Sequence, residues 1–225
     1  MVEREAATAV LDEVREDLVR LPPVLPPDEG EGPPRPSGPA REPAVSNARL
    51  GMLVFLAFEA MFFAGLLGAY LVFRLGTPVW PPPGEPYLPI AVTWVNTGIL
   101  LFSSYTVRRA VRAIRRDDRD GLGRWLLVTG LYGVTFLAVQ GYEWVRLVHF
   151  GLTLSSGIYG STFYTLIGCH GLHVLGAVIW LLVVLALARG DRFSARRHVG
   201  VQLCAMYWHF VVGLWLVLFP AVYLL

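Results

Sequence analysis

The chain of 225 residues contains no lysine; all 19 of its basic residues are arginine. It is also poor in charge and in cysteine. Charged residues make up 16% of the sequence and apolar residues 55%, whereas an average soluble domain carries roughly 25% charged residues. That balance disfavours an ordinary cytosolic globule and a nucleic-acid binder. The two cysteines, Cys169 and Cys204, both lie in apolar runs and are too few for a disulfide scaffold or a zinc finger. Alternating ten-residue segments are missing, which excludes a closed barrel. No GxSxG elbow accompanies Ser155, Ser156 and Ser161, so an intramembrane hydrolase has little to build on. The first 20 residues are acidic and lack an apolar core, which argues against a secretory signal.

What charge there is divides unevenly. Residues 1–46 hold 5 Arg against 10 Asp and Glu, a net −5, and the remainder holds 14 Arg against 7 acids, a net +7. Nine of the 16 prolines fall within residues 22–43. Such a stretch neither continues a helix nor buries a core, so residues 1–46 are predicted to be an acidic, Pro-rich, largely disordered tail. Ahead of the prolines, Leu11, Val14, Leu18 and Leu21 share one helical face. A short amphipathic helix, docked on a partner or solvated and frayed, is expected there.

Residues 47–225 read as a membrane domain. Five apolar runs follow one another: 51–73, 88–107, 125–145, 157–188 and 199–225. A helix needs about 20 residues to cross the hydrocarbon core. The prediction is an all-α membrane protein with five transmembrane helices, the fourth long enough to tilt or protrude. Arg108, Arg109, Arg112, Arg115, Arg116, Arg119 and Arg124 lie between spans two and three, and Arg189, Arg192, Arg196 and Arg197 between spans four and five. The loops 77–89 and 148–156 have none. The positive-inside rule then places the amino terminus in the cytoplasm and the carboxyl terminus outside. Trp80, Tyr87, Trp94, Trp125, Trp144 and Tyr159 near the predicted boundaries fit an aromatic belt. Small residues recur on spans one and four and suit close helix packing.

Ionisable groups at membrane depth are expensive unless paired, which makes each a functional candidate. Counting from Arg49 at 1.5 Å per residue puts Glu59 roughly 15 Å along span one, near the midplane. His173 falls near the centre of span four with His170 one turn earlier, and His209 near mid-depth in span five. These groups are predicted to meet inside one bundle. Gln140 and Glu143 share a face near the outer end of span three and form a second polar site. Three chemistries fit: a structural cluster of interhelical hydrogen bonds, proton-related chemistry, or metal or haem ligation. Against the last stands the absence of paired histidines about four turns apart on two helices, the pattern of a two-haem bundle. A b-haem membrane anchor with His170, His173 and His209 as ligands remains the alternative from another class.

The segments GMLVFLAFEAMFFAGLLGAYLVFR, FLAVQGYEW, GIYGSTFYTLIGCHGLHVLGAVIW and YWHFVVGLWLVLF together resemble subunit III of the haem-copper oxidases, the cytochrome c oxidase family. The resemblance runs from Arg49 to Leu225, matches nothing in the tail, and is to the five-span form that lacks the first two of seven helices. It implies a non-redox, non-catalytic subunit of a proton-pumping terminal oxidase in a bacterial or archaeal cytoplasmic membrane. Such a subunit has no metal and no cofactor of its own, haem and copper residing in partner subunits. It implies packing on subunit I, association with subunit II, phospholipids in a helix cleft, support of proton uptake and protection against turnover inactivation. Glu59 matches the family's carbodiimide-reactive carboxyl and His173 its partner; His170, Glu143 and His209 fall on other recurrent positions. The lipid is expected between the first two helices and the last three, with Arg74, Arg108, Arg109, Arg189 and Arg197 near head groups. The corresponding subunit of a quinol oxidase, or a nitric-oxide-reductase-associated protein, is the alternative within the family, and the tail leaves a supercomplex contact open.

Overall fold

A computed structural model describes residues 47–84, 86 and 88–225. The predicted amphipathic helix and the Pro-rich tail lie outside the described residues. Five long helices follow in order: α1 (Asn47–Gly76), α2 (Ile90–Arg115), α3 (Arg119–His149), α4 (Ile158–Arg189) and α5 (Val199–Phe219). All five are long and apolar enough to cross a membrane. Among the described residues there is no strand.

Helices α1 and α3 reach further than their apolar runs at both ends, and α2 does so at its arginine-bearing end. The arginine-rich segment predicted as the loop between spans two and three is almost wholly helical, leaving only residues 116–118 as the connection. Arginine and alanine favour helix, and arginine stems lie along apolar surface while their heads reach polar surroundings. Asp118 then starts α3, its carboxylate accepting from Gly121 N–H at 2.7 Å. Gly157, at φ 119°, admits the chain to α4 through a backbone conformation that side chains disfavour. Pro220 has no N–H to donate, and α5 passes into a π-helical turn, Pro220–Leu224.

Helices α2, α3, α4 and α5 form a four-helix bundle in which α2 packs on α3 and α5, and α4 on α3 and α5. Helix α1 packs on α4 and α5. The most extensive packing of all is between α2 and α3. The cleft expected between the first two helices and the last three is therefore absent: α2 belongs to the bundle, and the open groove lies between α1 and α2.

The bundle interior is partly polar. The buried stripe of α2 carries Thr93, Asn96, Thr97, Ser103 and Thr106. Trp208 Nε1 donates to Ser103 Oγ and Trp215 Nε1 to Thr97 Oγ1, both at 2.9 Å. Asn96 Nδ2 donates to the Phe136 carbonyl at 3.1 Å, and the hydroxyls of Thr106 and Thr129 meet at 2.8 Å. Hydrocarbon exerts no hydrophobic force between helices, so dispersion contacts and such hydrogen bonds fix the arrangement. The arginine-bearing ends of α2, α3 and α4 gather at one end of the bundle, with Arg49 of α1 and the start of α5.

Candidate functional site: a carboxyl and an imidazole between two helices

Glu59 projects from the middle of α1 toward α4, where His173 Nε2 lies 2.8 Å from its Oε2. The two side chains retain 19% and 23% of their exposure. They are thus held in the seam between α1 and the bundle, at its edge, and not in the bundle centre. Phe63 stands edge-on to the imidazole at 4.9 Å between ring centroids, and Phe62 stacks at 6.2 Å. The other ring nitrogen, Nδ1, is 2.6 Å from the carbonyl oxygen of Cys169, one turn back on α4.

That last contact fixes the protonation logic. A carbonyl only accepts, so Nδ1 carries a hydrogen. Nε2 then faces the carboxyl either with its lone pair, against a protonated carboxyl, or with a second N–H, against a carboxylate. The carboxyl and the imidazole thus stand at ion-pair distance across the seam.

The remaining predicted partners are elsewhere. His170 is 1% exposed and stacks on Trp215 of α5 at 5.1 Å, with Phe63 and Phe136 edge-on. Neither of its ring nitrogens has a hydrogen-bond partner among the described residues. His209 Nδ1 meets Ser104 Oγ of α2 at 3.1 Å. The expected meeting of Glu59 with all three histidines is thus reduced to one. Depth along a helix says nothing of azimuth: neighbours three apart on α4 diverge into different seams, and α5 turns His209 toward α2. The same divergence separates the imidazoles that a haem anchor needs. Among the described residues no three of His, Cys, Asp and Glu gather closely enough to hold a metal ion.

Gln140 and Glu143 do share the buried face of α3. Gln140 Nε2 donates to the hydroxyl of Tyr223 at 3.1 Å, and Arg146 Nη1 reaches both Glu143 oxygens at 3.2 and 3.4 Å. Arg146, three residues after Glu143, was legible as its i,i+3 neighbour. Tyr223, Ser104 and the indoles of Trp208 and Trp215 were not, because their partners lie 83 residues away or more.

The arginines divide. Arg108 lines a groove of about 390 Å³ between α1, α2 and α5, together with Arg49, Arg112, Arg115, Gln202 and His209. Arg189 lines another of about 380 Å³ with Arg119, Arg124 and Asp191, and Arg197 is exposed in the α4–α5 connection. Arg109 stacks over Trp125 at 4.9 Å. Arg74 has contacts within the chain: its Nη2 binds the Leu225 carbonyl, and its guanidinium covers Trp80 at 5.7 Å. It ties the far end of α1 to the end of the chain. Arg49, bound to Gln202 Oε1 through Nε at 3.1 Å and through Nη2, makes the corresponding tie at the opposite end of α1.

Known proteins resemble the whole described region. The family model for cytochrome c oxidase subunit III matches residues 37–225. The match starts upstream of Arg49 and so extends into the Pro-rich segment, further than the sequence resemblance indicated. Cytochrome c oxidase subunit 3 of Synechocystis sp. is 41% identical over 176 residues, which is 78% of this chain and 74% of that protein. The Thermostichus vulcanus protein of the same name is 38% identical over 177 residues, 78% of this chain and 86% of the relative. That of Corynebacterium diphtheriae is 36% identical over 193 residues, 83% and 94% of the two chains. With five membrane-length helices and a match over most of its length, the chain belongs to the cytochrome c oxidase subunit III family.

Proposed function

We propose that the chain serves as the non-redox subunit III of a proton-pumping cytochrome c oxidase in a bacterial or archaeal cytoplasmic membrane. It packs on subunit I within a complex that also holds subunit II. It supports proton uptake and prolongs the life of the catalytic site under turnover. The observation that carries this reading is the Glu59–His173 pair. A carboxyl and an imidazole 2.8 Å apart beside hydrocarbon suit the holding and release of a proton. On this reading haem and copper belong to the partner subunits. The relatives are named for cytochrome c oxidase, which favours cytochrome c over quinol as electron donor.

The arginine-rich end faces the cytoplasm by the positive-inside rule, placing the start of α1 inside and the end of α5 outside. The groove between α1 and α2 then opens at the inner leaflet. Its guanidinium groups, Arg49, Arg108, Arg112 and Arg115, suit the phosphates of anionic phospholipids, whose chains extend along the exposed apolar face of α1.

The test uses the assembled oxidase and a hydrophobic carbodiimide. Labelling is expected on Glu59 and is abolished by Glu59→Gln, with the complex assembled and its haem spectra unchanged. Oxygen reduction is expected to start at a normal rate, while proton uptake slows or activity decays sooner during turnover. Labelling concentrated on Glu143, or complete loss of oxygen reduction in an assembled Glu59→Gln complex with intact spectra, overturns the reading.

A further inference from the structure

Besides its arginines, the groove between α1, α2 and α5 holds one imidazole. His209 is half-buried in its wall, and its Nδ1 meets Ser104 Oγ of α2 at 3.1 Å. That serine hydroxyl has no other hydrogen-bond partner among the described residues, so its hydrogen points at Nδ1. When one nitrogen of a neutral imidazole accepts, the other carries the hydrogen, and Nε2 becomes an N–H donor. Nε2 has no partner among the described residues and, unlike the ring nitrogens of His170, is not enclosed. A donor is thus left for whatever occupies the groove.

The depth of that donor narrows the ligand. Ser104 stands four residues before Arg108, the first arginine of α2. The contact therefore places His209 about one helical turn, roughly 6 Å, inside the arginine layer. Arg49, Arg108, Arg112 and Arg115 line the groove above it, and among the described residues no acid does. A layer of guanidinium groups over a single N–H donor matches a glycerophospholipid, which carries its phosphate at the surface and its ester carbonyls one glycerol unit below. A carbonyl oxygen accepts well from N–H, whereas an ether oxygen between two methylenes is a weaker and more shielded acceptor. A free phosphate satisfies the arginines and leaves the imidazole unused. We propose that His209 reads the linkage of the lipid. The groove takes an ester-linked anionic phospholipid, phosphate on the guanidinium groups and a chain carbonyl on Nε2, in preference to the ether-linked counterpart. This inference rests on the reading of the groove as a phospholipid site and adds its selectivity.

The experiment uses the purified oxidase complex and two phosphatidylglycerols with the same diazirine in one chain, one lipid joined by esters and the other by ethers. Saturable crosslinking to the segments of α1, α2 and α5 that flank the groove is expected for both. Half-saturation is expected at a concentration about fivefold lower for the diester, the weight of one hydrogen bond. His209→Phe removes the donor and is expected to weaken the diester until the two lipids bind alike. His209→Gln, whose amide keeps an N–H, is expected to restore the preference. Arg112→Gln is expected to weaken both lipids and leave their ratio unchanged. Equal half-saturation in the unaltered complex overturns the inference and leaves the phospholipid reading standing, as does a preference that survives His209→Phe undiminished. Absence of saturable crosslinking by either lipid overturns both. So does displacement of both lipids by inorganic phosphate at equal concentration, which would make the groove a site for free anions.

Discussion

Helix α1 and the bundle it leans on are both apolar, yet they are held by different means. Only 11% of the apolar stretch of α1 is buried inside the protein, against 50% for α5. Phe58, Met61 and Val72 of α1 stand 67%, 70% and 71% exposed. The bundle interlocks through indoles, small hydroxyl side chains and glycines, whereas α1 is fastened at three polar points: Arg49 on Gln202, Glu59 on His173 and Arg74 on Leu225. Mean hydropathy is high in both, so hydrophobicity does not separate the core helix from the peripheral one. In a membrane the separating property is what a side chain packs against, since lipid satisfies an apolar surface as well as protein does.

The sharpest way to break the contrast is to remove Trp215. Its indole bonds Thr97, stacks on His170 and meets Phe136 edge-on at 5.2 Å. Trp215→Ala is expected to cost about 3–5 kcal/mol, as large aromatic truncations in packed interiors do. Reversible unfolding in mixed micelles measures it; a loss below 1 kcal/mol would mean that the bundle is not keyed by this residue.

Next in size is the glycine contrast. A Cβ at Gly133 of α3 meets Trp208 at 2.5 Å and Val178 at 2.9 Å, whereas one at Gly65 of α1 meets nothing within 4 Å. Gly133→Leu is expected to destabilise by about 1–3 kcal/mol through overpacking. Gly65→Leu leaves the same unfolding transition in place. Equal effects at the two sites would erase the distinction between core and peripheral helix.

Smaller again is the α1 tether. A double-mutant cycle on Glu59→Gln and His173→Phe is expected to give a coupling of about 0.6 kcal/mol, and at most roughly 2, the range of interhelical hydrogen bonds in membranes. On that expectation its structural value is modest beside Trp215. A coupling several-fold larger would make it chiefly a structural clasp. The smallest effect belongs to the exposed face of α1, where Phe58→Ala and Met61→Ala are expected to shift the stability of the subunit by no more than about 0.5 kcal/mol.

The sequence by itself determined the number of spans and their approximate limits, and it singled out the ionisable groups on which the proposed function rests. Each follows from local properties: 20-residue apolar runs, arginines at helix ends, and ionisable groups too expensive to leave unexplained at depth. It also identified the Glu59–His173 pair, through the family resemblance and a match in depth. It did not show that α2 continues through its arginines, because propensity and capping at Asp118 overrode the polarity of that segment. The tertiary structure alone decided azimuth: that His173 faces α1 while His170 faces Trp215, that His209 turns to Ser104, and that Arg74 holds the chain end. It also decided that α2 joins the bundle and α1 stands apart. The reason is physical. Position along a span is set by the thickness of the hydrocarbon, which every helix feels alike, whereas rotation about the helix axis is set by which neighbour supplies the complementary surface, and that neighbour is often more than 100 residues away.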